Sequence, residues 1–244
     1  MVTGTSFFDS LISKIRDNGV YSDLKINCGS SRFDVHRVIV CLQSAFFTKA
    51  IEGGFQEAKS NEITLHDNPT IVKKMIDYLY RQDYNDTCEL AIEEQAQRPP
   101  EPMDAAADEY EISATTAPSE EKDCPSVPLQ DAKETKVSVN AKMHVLADKY
   151  AVERLKDHSK EKLKANLTRE WNDTDFLWLI EYTYGPHSPP NSELRDVIVT
   201  FAVQHLSTLD KLPQFHQVHK EFSEFGSDLL TRTIERVVQL EKYI

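Results

Sequence analysis

Residues 85–136 constrain this chain more than any other feature, because their composition is typical of a segment that does not fold. Between residues 85 and 135 there are 14 acidic residues against 3 basic ones, six prolines and few large apolar residues. Such a segment buries too little apolar surface to offset the entropy lost on ordering. We therefore predict a disordered acidic segment of about 50 residues. Because loops this long are rare inside compact domains, it is either a linker between two domains or an insertion within one.

The net charge of the chain, −12, comes almost entirely from this acidic segment. Its flanks are together close to neutral, and they lack the basic surface that nucleic-acid binding requires. No strictly apolar run is longer than that of residues 38–42, which is far shorter than the roughly 20 residues that cross a bilayer. The N-terminus has no basic region followed by an apolar one. We therefore expect no direct nucleic-acid binding, no secretion signal and no membrane span.

The cysteines argue against a disulfide or zinc framework. Cys28, Cys41, Cys88 and Cys124 form no CxxC pair, and the last two lie in the acidic segment. We expect a reducing compartment, the cytosol or the nucleus.

The upstream flank, residues 1–84, has the pattern of alternating helices and strands. "SDLKINCG" and "SRFDVH" alternate apolar and polar residues and predict a hairpin that turns at residues 29–31. "NEITLHD" predicts a third strand. The other segments have helical spacing, with Ser44 and Asn68 as expected N-caps and Pro69 at a first helical position. The apolar residues of these helices are Phe8, Leu11, Ile12 and Ile15; Val38, Ile39 and Leu42; Phe46, Phe47 and Ile51; and Val72, Met75, Ile76 and Leu79.

The downstream flank predicts helices only. "VNAKMHVLADKYAVERLKDHSKEKLKANL" has helical spacing throughout. "SELRDVIVTFAVQHL" and "GSDLLTRTIERVVQLEKYI" are the clearest of the later helical segments, and "GPHSPP" separates helices. No internal repeat is visible, so neither a solenoid nor a propeller is expected.

Motifs for enzyme chemistry are missing from the sequence. It contains no P-loop, no dinucleotide-binding glycine pattern, no GxSxG and no HExxH. His36 could be a base, a metal ligand or a core residue, but no nucleophile and base arrangement surrounds it in sequence. His216 and His219 have i, i+3 spacing without a third ligand nearby, which favours a solvated helix face over a metal site. We expect no enzyme activity, no metal and no cofactor.

Five segments, taken in order, resemble the BTB/POZ family of interaction domains. They are "SDLKINCG", "FDVHRVIVCLQSAFF", "GGFQEAKSNEITLHDNP", "MIDYLYRQDY" and "VLADKYAVERLK". The resemblance implies an α+β fold in which a small mixed sheet is capped by a cluster of helices. It covers residues 1–84 and 137–167, so the acidic segment, residues 85–136, becomes an insertion within one domain. Residues 168–244 resemble the helical extension that follows fungal-type members of the family.

The same resemblance implies roles for particular residues. His36 opens a helix as a structural residue packed under the sheet. Family members dock their first helix against a second subunit, which implies a homodimer interface that involves Phe8, Leu11, Ile12, Ile15, Asp23 and Arg37. We expect Asp23 and Arg37 to form a buried charged pair at that interface, with an exposed and weak salt bridge as the alternative.

Cullin scaffolds dock on the family through a large apolar residue, any residue and then glutamate. The corresponding triplet is Ala50, Ile51 and Glu52, so the glutamate matches and the bulky anchor does not. Loss of that anchor weakens the expected docking by roughly 2 kcal/mol of burial.

These expectations define a non-catalytic protein-binding module. The leading hypothesis is a self-associating adaptor or scaffold, including a substrate adaptor for a cullin-type ubiquitin ligase. The alternative is a nuclear co-regulator of transcription that recruits corepressors through the dimer. The acidic insertion either recruits a basic partner or serves as a solubilising spacer.

Overall fold

A computed structural model describes residues 7–54, 56–87 and 134–242, without the side chains of residues 7–9. Helices and strands alternate before the acidic segment, and only helices follow it. The first group is α1 (Phe7–Asn18), β1 (Leu24–Cys28), β2 (Ser31–Val35), α2 (Arg37–Cys41), α3 (Ala45–Glu52), α4 (Gln56–Ser60), β3 (Glu62–Leu65) and α5 (Pro69–Arg81). The second group is α6 (Lys136–Lys149), α7 (Glu153–Arg169), α8 (Asp173–Tyr184), α9 (Leu194–Gln204), α10 (Leu206–Leu209), α11 (Pro213–Glu221) and α12 (Ser223–Glu241).

The three strands form a mixed sheet in the order β2-β1-β3. β1 pairs antiparallel with β2, so that Leu24 faces Val35, and it pairs parallel with β3, so that Ile26 faces Ile63. Alternate residues of β1 and β3 are buried, as the period-2 pattern of the sequence predicts. The hairpin and the third strand are thus confirmed, and the fold is the expected α+β arrangement.

Capping residues fix where the helices of the first group begin. The Ser44 hydroxyl accepts a hydrogen bond from the Phe47 amide at the start of α3. The Asn68 side chain accepts from the amides of Thr70 and Ile71, and Pro69 stands in the first turn of α5. Both caps are confirmed.

The apolar residues in α2 and at its C-cap differ in their exposure. Val38 and Leu42 are exposed, whereas Val40 is fully buried. α2 has only five residues. Because the helix is little more than one turn long, its apolar residues do not repeat at helical spacing, and the sequence does not show which of them are buried. These exposed side chains become part of the candidate site.

Residues from both sides of the acidic segment share one hydrophobic cluster. The sheet and α3 contribute Ile26 and Phe47, α5 contributes Met75, and α6 contributes Met143 and Leu146. Side chains all round α6 are buried, because this helix also borders a second cluster through Val137 and Ala141. The second cluster is completed by α7–α12, with Leu163, Leu167, Phe176, Leu179, Ile180, Leu194, Ile198, Leu209, Phe215 and Phe225 among its members.

The helical segment predicted after the acidic segment forms two helices, α6 and α7. Ala151 has a positive φ of 50°, and the chain turns there between Tyr150 and Val152. This turn lets the two helices pack against each other as a hairpin. Of the helices in the described ranges, none has the length and hydropathy needed to cross a bilayer.

Polar contacts hold the chain just before the acidic segment to the helices that follow it. The Tyr84 hydroxyl donates to the Asn140 side chain of α6, and the Asn140 amide donates to Asp86 at 3.1 Å. Asn166 of α7 also donates to Asp86, at 3.2 Å. Residues 84 and 86 therefore lie against α6, the helix that begins at Lys136. Residues 88–133 of the predicted insertion lie outside the described residues.

Candidate interaction surface

Several large apolar side chains are exposed in the part of the chain before the acidic segment. They come from α1, from the turn that follows it, and from α2 with its C-cap. We call this set the apolar face: Leu11 at 42% exposure, Val20 at 47%, Tyr21 at 90%, Val38 at 63% and Leu42 at 82%. Large apolar side chains that a fold leaves exposed to water are typical of a surface that another protein covers.

α1 packs against α5. Ile12 and Ile15 pack, partly buried, against the first hydrophobic cluster. Arg16 forms an ion pair with Asp77 at 2.9 Å, and the two side chains are mostly buried. Of the four α1 residues predicted at a dimer interface, Leu11 is therefore the one seen to be exposed, and the side chain of Phe8 lies outside the described residues.

Asp23 and Arg37 are joined, but not as the expected buried charged pair. The Asp23 carboxylate accepts a hydrogen bond from the Arg37 backbone amide at 2.8 Å. Asp23 is exposed and Arg37 half-buried in the single chain. The amide at the start of α2 has no partner within its helix, and the carboxylate satisfies it.

His36 has hydrogen-bond partners on both ring nitrogens. Its Nδ1 lies 2.7 Å from the Tyr80 hydroxyl of α5, and its Nε2 lies 2.7 Å from the Val20 carbonyl oxygen. The carbonyl can only accept, so Nε2 carries the proton and Nδ1 accepts from Tyr80. The Tyr80 hydroxyl also accepts from the His36 backbone amide at 2.8 Å. His36, only 8% exposed, thus links the turn after α1 to α5.

The predicted cullin-docking triplet lies at the C-terminal end of α3. Ala50 is half-buried against the first cluster, Ile51 is buried and Glu52 is exposed. Phe46, one turn before Ala50, is 38% exposed and contacts the Tyr150 ring edge to face. Because residues i and i+4 share a helix face, Phe46 provides apolar surface on the side where Ala50 has little.

The two histidines with i, i+3 spacing belong to α11. Both are exposed, and the His216 Nε2 lies 2.8 Å from the Asp210 carbonyl oxygen. Across the residues that the structure describes, no cluster of histidine, cysteine and acidic side chains could hold a metal ion.

The fold defines a class of protein: a small α+β domain with large apolar side chains exposed on α1, on the turn after it and at α2. Residues 12–124 match the family model described as BTB/POZ domain. The chain therefore contains a BTB/POZ domain, which is a protein–protein interaction module. Helices α6 and α7 lie beyond the matched residues, although α6 and the N-terminal part of α7 contribute to the same core.

Proposed function

We propose that this protein is a non-catalytic adaptor that pairs with a second copy of itself through the apolar face and binds other proteins as a dimer. The exposure of Val38 and Leu42 is the observation that carries this proposal. In a small soluble domain, two large apolar side chains one turn apart at a helix surface are stabilised when a partner removes them from water. A second copy offers the same face, which a two-fold axis makes self-complementary.

Co-purification of two differently tagged copies tests the pairing. We expect each tag to capture the other in the wild-type protein. Leu42→Asp should abolish the capture, since it places a carboxylate in the centre of the paired surface. Lys220→Asp is the control, because Lys220 is exposed on α11 and its substitution places a carboxylate outside the apolar face. Equal capture by both variants would contradict the proposal.

Cullin docking at the end of α3 is the proposed activity of the dimer as a ubiquitin-ligase adaptor. Glu52 supplies the exposed carboxylate and Phe46 the apolar surface. Glu52→Lys should abolish capture of a cullin and its ring-box protein, with folding unchanged, whereas Glu241→Lys on α12 should have no effect. Capture that survives Glu52→Lys would place the docking site elsewhere.

A nuclear co-regulator is the second candidate, because a dimer of this kind also offers a groove for corepressor segments. The protein would act in the cytosol in the first case and in the nucleus in the second. Affinity purification with mass spectrometry from native cells separates them. Cullin and ring-box proteins support the adaptor, and chromatin factors support the co-regulator.

A further inference from the structure

A cleft of about 330 Å³ opens between the start of α5, one face of α6 and the end of α8. Its volume falls within the range of about 300–1,000 Å³ that is usual for ligand sites. The cleft shares no residue with the apolar face or with the triplet at the end of α3. It is therefore a separate surface on the same chain.

The charged side chains that line the cleft already have partners. Asp67 accepts from the Lys149 ammonium at 2.7 Å and from the Tyr150 hydroxyl. The other lining lysine, Lys142, also has a partner, and its ammonium lies 5.9 Å from the centre of the Trp178 ring. A charged ligand would have to compete with these contacts, so the cleft is complementary to a ligand without net charge.

Apolar and aromatic side chains also line the cleft. Val145 and Leu146 are consecutive residues of α6. From the end of α8, the Tyr182 ring is nearly parallel to the Trp178 ring, with centroids 4.9 Å apart, and to the His187 imidazole, 6.2 Å away. These flat rings and the aliphatic side chains opposite them provide surface on which apolar groups of a ligand can pack.

The polar groups of the cleft include hydrogen-bond donors without a protein acceptor. Burial, together with the nearby Asp67 carboxylate, raises the pKa of Tyr182 to about 12, so its hydroxyl keeps its proton at neutral pH. The exposed Asn68 caps α5 with its side-chain oxygen, which leaves its amide group to donate. Among the described residues, none accepts a hydrogen bond from the Tyr182 hydroxyl or from the Asn68 amide group. The cleft therefore favours a ligand that brings acceptors.

A proline-rich segment brings acceptors without bringing donors. Each proline has a backbone carbonyl that accepts hydrogen bonds, and it has no N–H that needs a partner. In the polyproline II conformation these carbonyls form no internal hydrogen bonds. An ordinary peptide would also bring backbone N–H groups, whereas the carboxylate that lines the cleft, Asp67, is already engaged.

We propose that this cleft binds an uncharged, proline-rich segment of a partner protein in the polyproline II conformation. Its proline rings pack between Tyr182 and the two aliphatic residues of α6, Val145 and Leu146. Its backbone carbonyls accept from the Tyr182 hydroxyl and the Asn68 amide group. Grooves with aromatic lining suit such segments because the polyproline II helix is already formed and loses little entropy on binding.

Fluorescence polarisation with labelled peptides, blocked at both ends, tests the proposal on the full chain. The probes are a dodecamer of L-proline and a dodecapeptide that repeats leucine-proline-proline. We expect at least one to bind with a dissociation constant below about 1 mM. The affinity should change little when salt is raised to about 0.5 M, because no ion pair forms. The same peptides built from D-amino acids, which form the mirror-image helix, should not bind.

Conservative variants assign the binding to the cleft. Tyr182→Phe keeps the ring and removes the donor, so it should weaken binding about threefold or more. The matched control is Tyr21→Phe, because Tyr21 is 90% exposed and lies outside the cleft, and it should bind like the wild type.

His187→Ala removes the exposed imidazole that stacks on Tyr182, and it should also weaken binding, whereas His216→Ala on α11 should not. Weakening by either Tyr182→Phe or His187→Ala places the peptide in the cleft. The proposal is overturned if neither L-peptide binds, if the mirror-image peptides bind equally well, or if both variants bind as tightly as the wild type.

Discussion

The Ser44 hydroxyl donates a hydrogen bond of 2.6 Å to the backbone carbonyl of Tyr150, which lies 106 residues further along the chain. Ser44 caps α3, before the acidic segment, and Tyr150 ends α6, after it. The Tyr150 ring also stacks on Phe47 with centroids 5.7 Å apart. The two flanks of the acidic segment are therefore joined by polar and apolar contacts at one point.

Ser44→Ala should destabilise the protein by about 2 kcal/mol. The substitution removes the N-cap of α3 and leaves the Tyr150 carbonyl without its donor. Urea unfolding followed by circular dichroism measures the change. Ser207→Ala, at an exposed serine of α10, is the control and should change the free energy of unfolding by less than about 0.5 kcal/mol. A similarly small effect at Ser44 would show that this junction contributes little to stability.

Tyr80→Phe tests the hydrogen bonds by which His36 links the turn after α1 to α5. Removal of the hydroxyl leaves the His36 backbone amide and Nδ1 without their partner in a buried site. We expect a loss of about 1–3 kcal/mol in the free energy of unfolding. Tyr21→Phe is the matched control, since Tyr21 is 90% exposed. If both variants unfold at the wild-type denaturant concentration, the hydrogen bonds of His36 do not stabilise this region.

The acidic segment should be dispensable for folding. Both its ends are attached to the same helices, through Tyr84 and Asp86 on one side and α6 on the other. Replacement of residues 88–134 by about eight glycine and serine residues closes the gap at little entropic cost. We expect the unfolding midpoint and the mass in solution to match those of the wild type. A variant that fails to fold would show that the segment contributes to the core.

Stability should decrease in acid partly through Glu193. Hydrogen bonds from Lys160 and Lys156 lower the pKa of Glu193 to about 2. A carboxyl whose pKa is lowered by folding stabilises the protein above its unfolded value, about 4.3, and that stability is lost as the pH falls towards 2. Because Glu193 is partly exposed, its contribution at neutral pH should be below about 1 kcal/mol.

Thermal melting between pH 5 and about 2 measures this contribution. Glu193→Gln should lose less stability than the wild type across that range, whereas Glu153→Gln, at an exposed position, should follow the wild-type curve. If the melting temperatures of Glu193→Gln and the wild type fall equally with pH, the hydrogen bonds of Lys156 and Lys160 to Glu193 do not cause the loss of stability in acid.

Much of the fold could be predicted from the sequence, and the exceptions have physical causes. Alternation in β1 and β3 identifies strands because one face of each is buried, and Asn68 with Pro69 marks the start of α5. The exposure of Val38 and Leu42 could not be predicted, because one helical turn has no repeat. The hydrogen bond from the Arg37 amide to the Asp23 carboxylate could not be predicted either, because it depends on how the turn after α1 packs against the start of α2. The cleft beside Tyr182 joins residues 67 and 187, which no local pattern relates.

Sedimentation equilibrium of the unmodified full chain at tens of micromolar tests the central claim most directly, namely that the apolar face pairs two copies. A mass of twice that of one chain, which Leu42→Asp reduces to that of one chain, is the predicted result. A wild-type protein with the mass of a single chain throughout the concentration range would contradict the account.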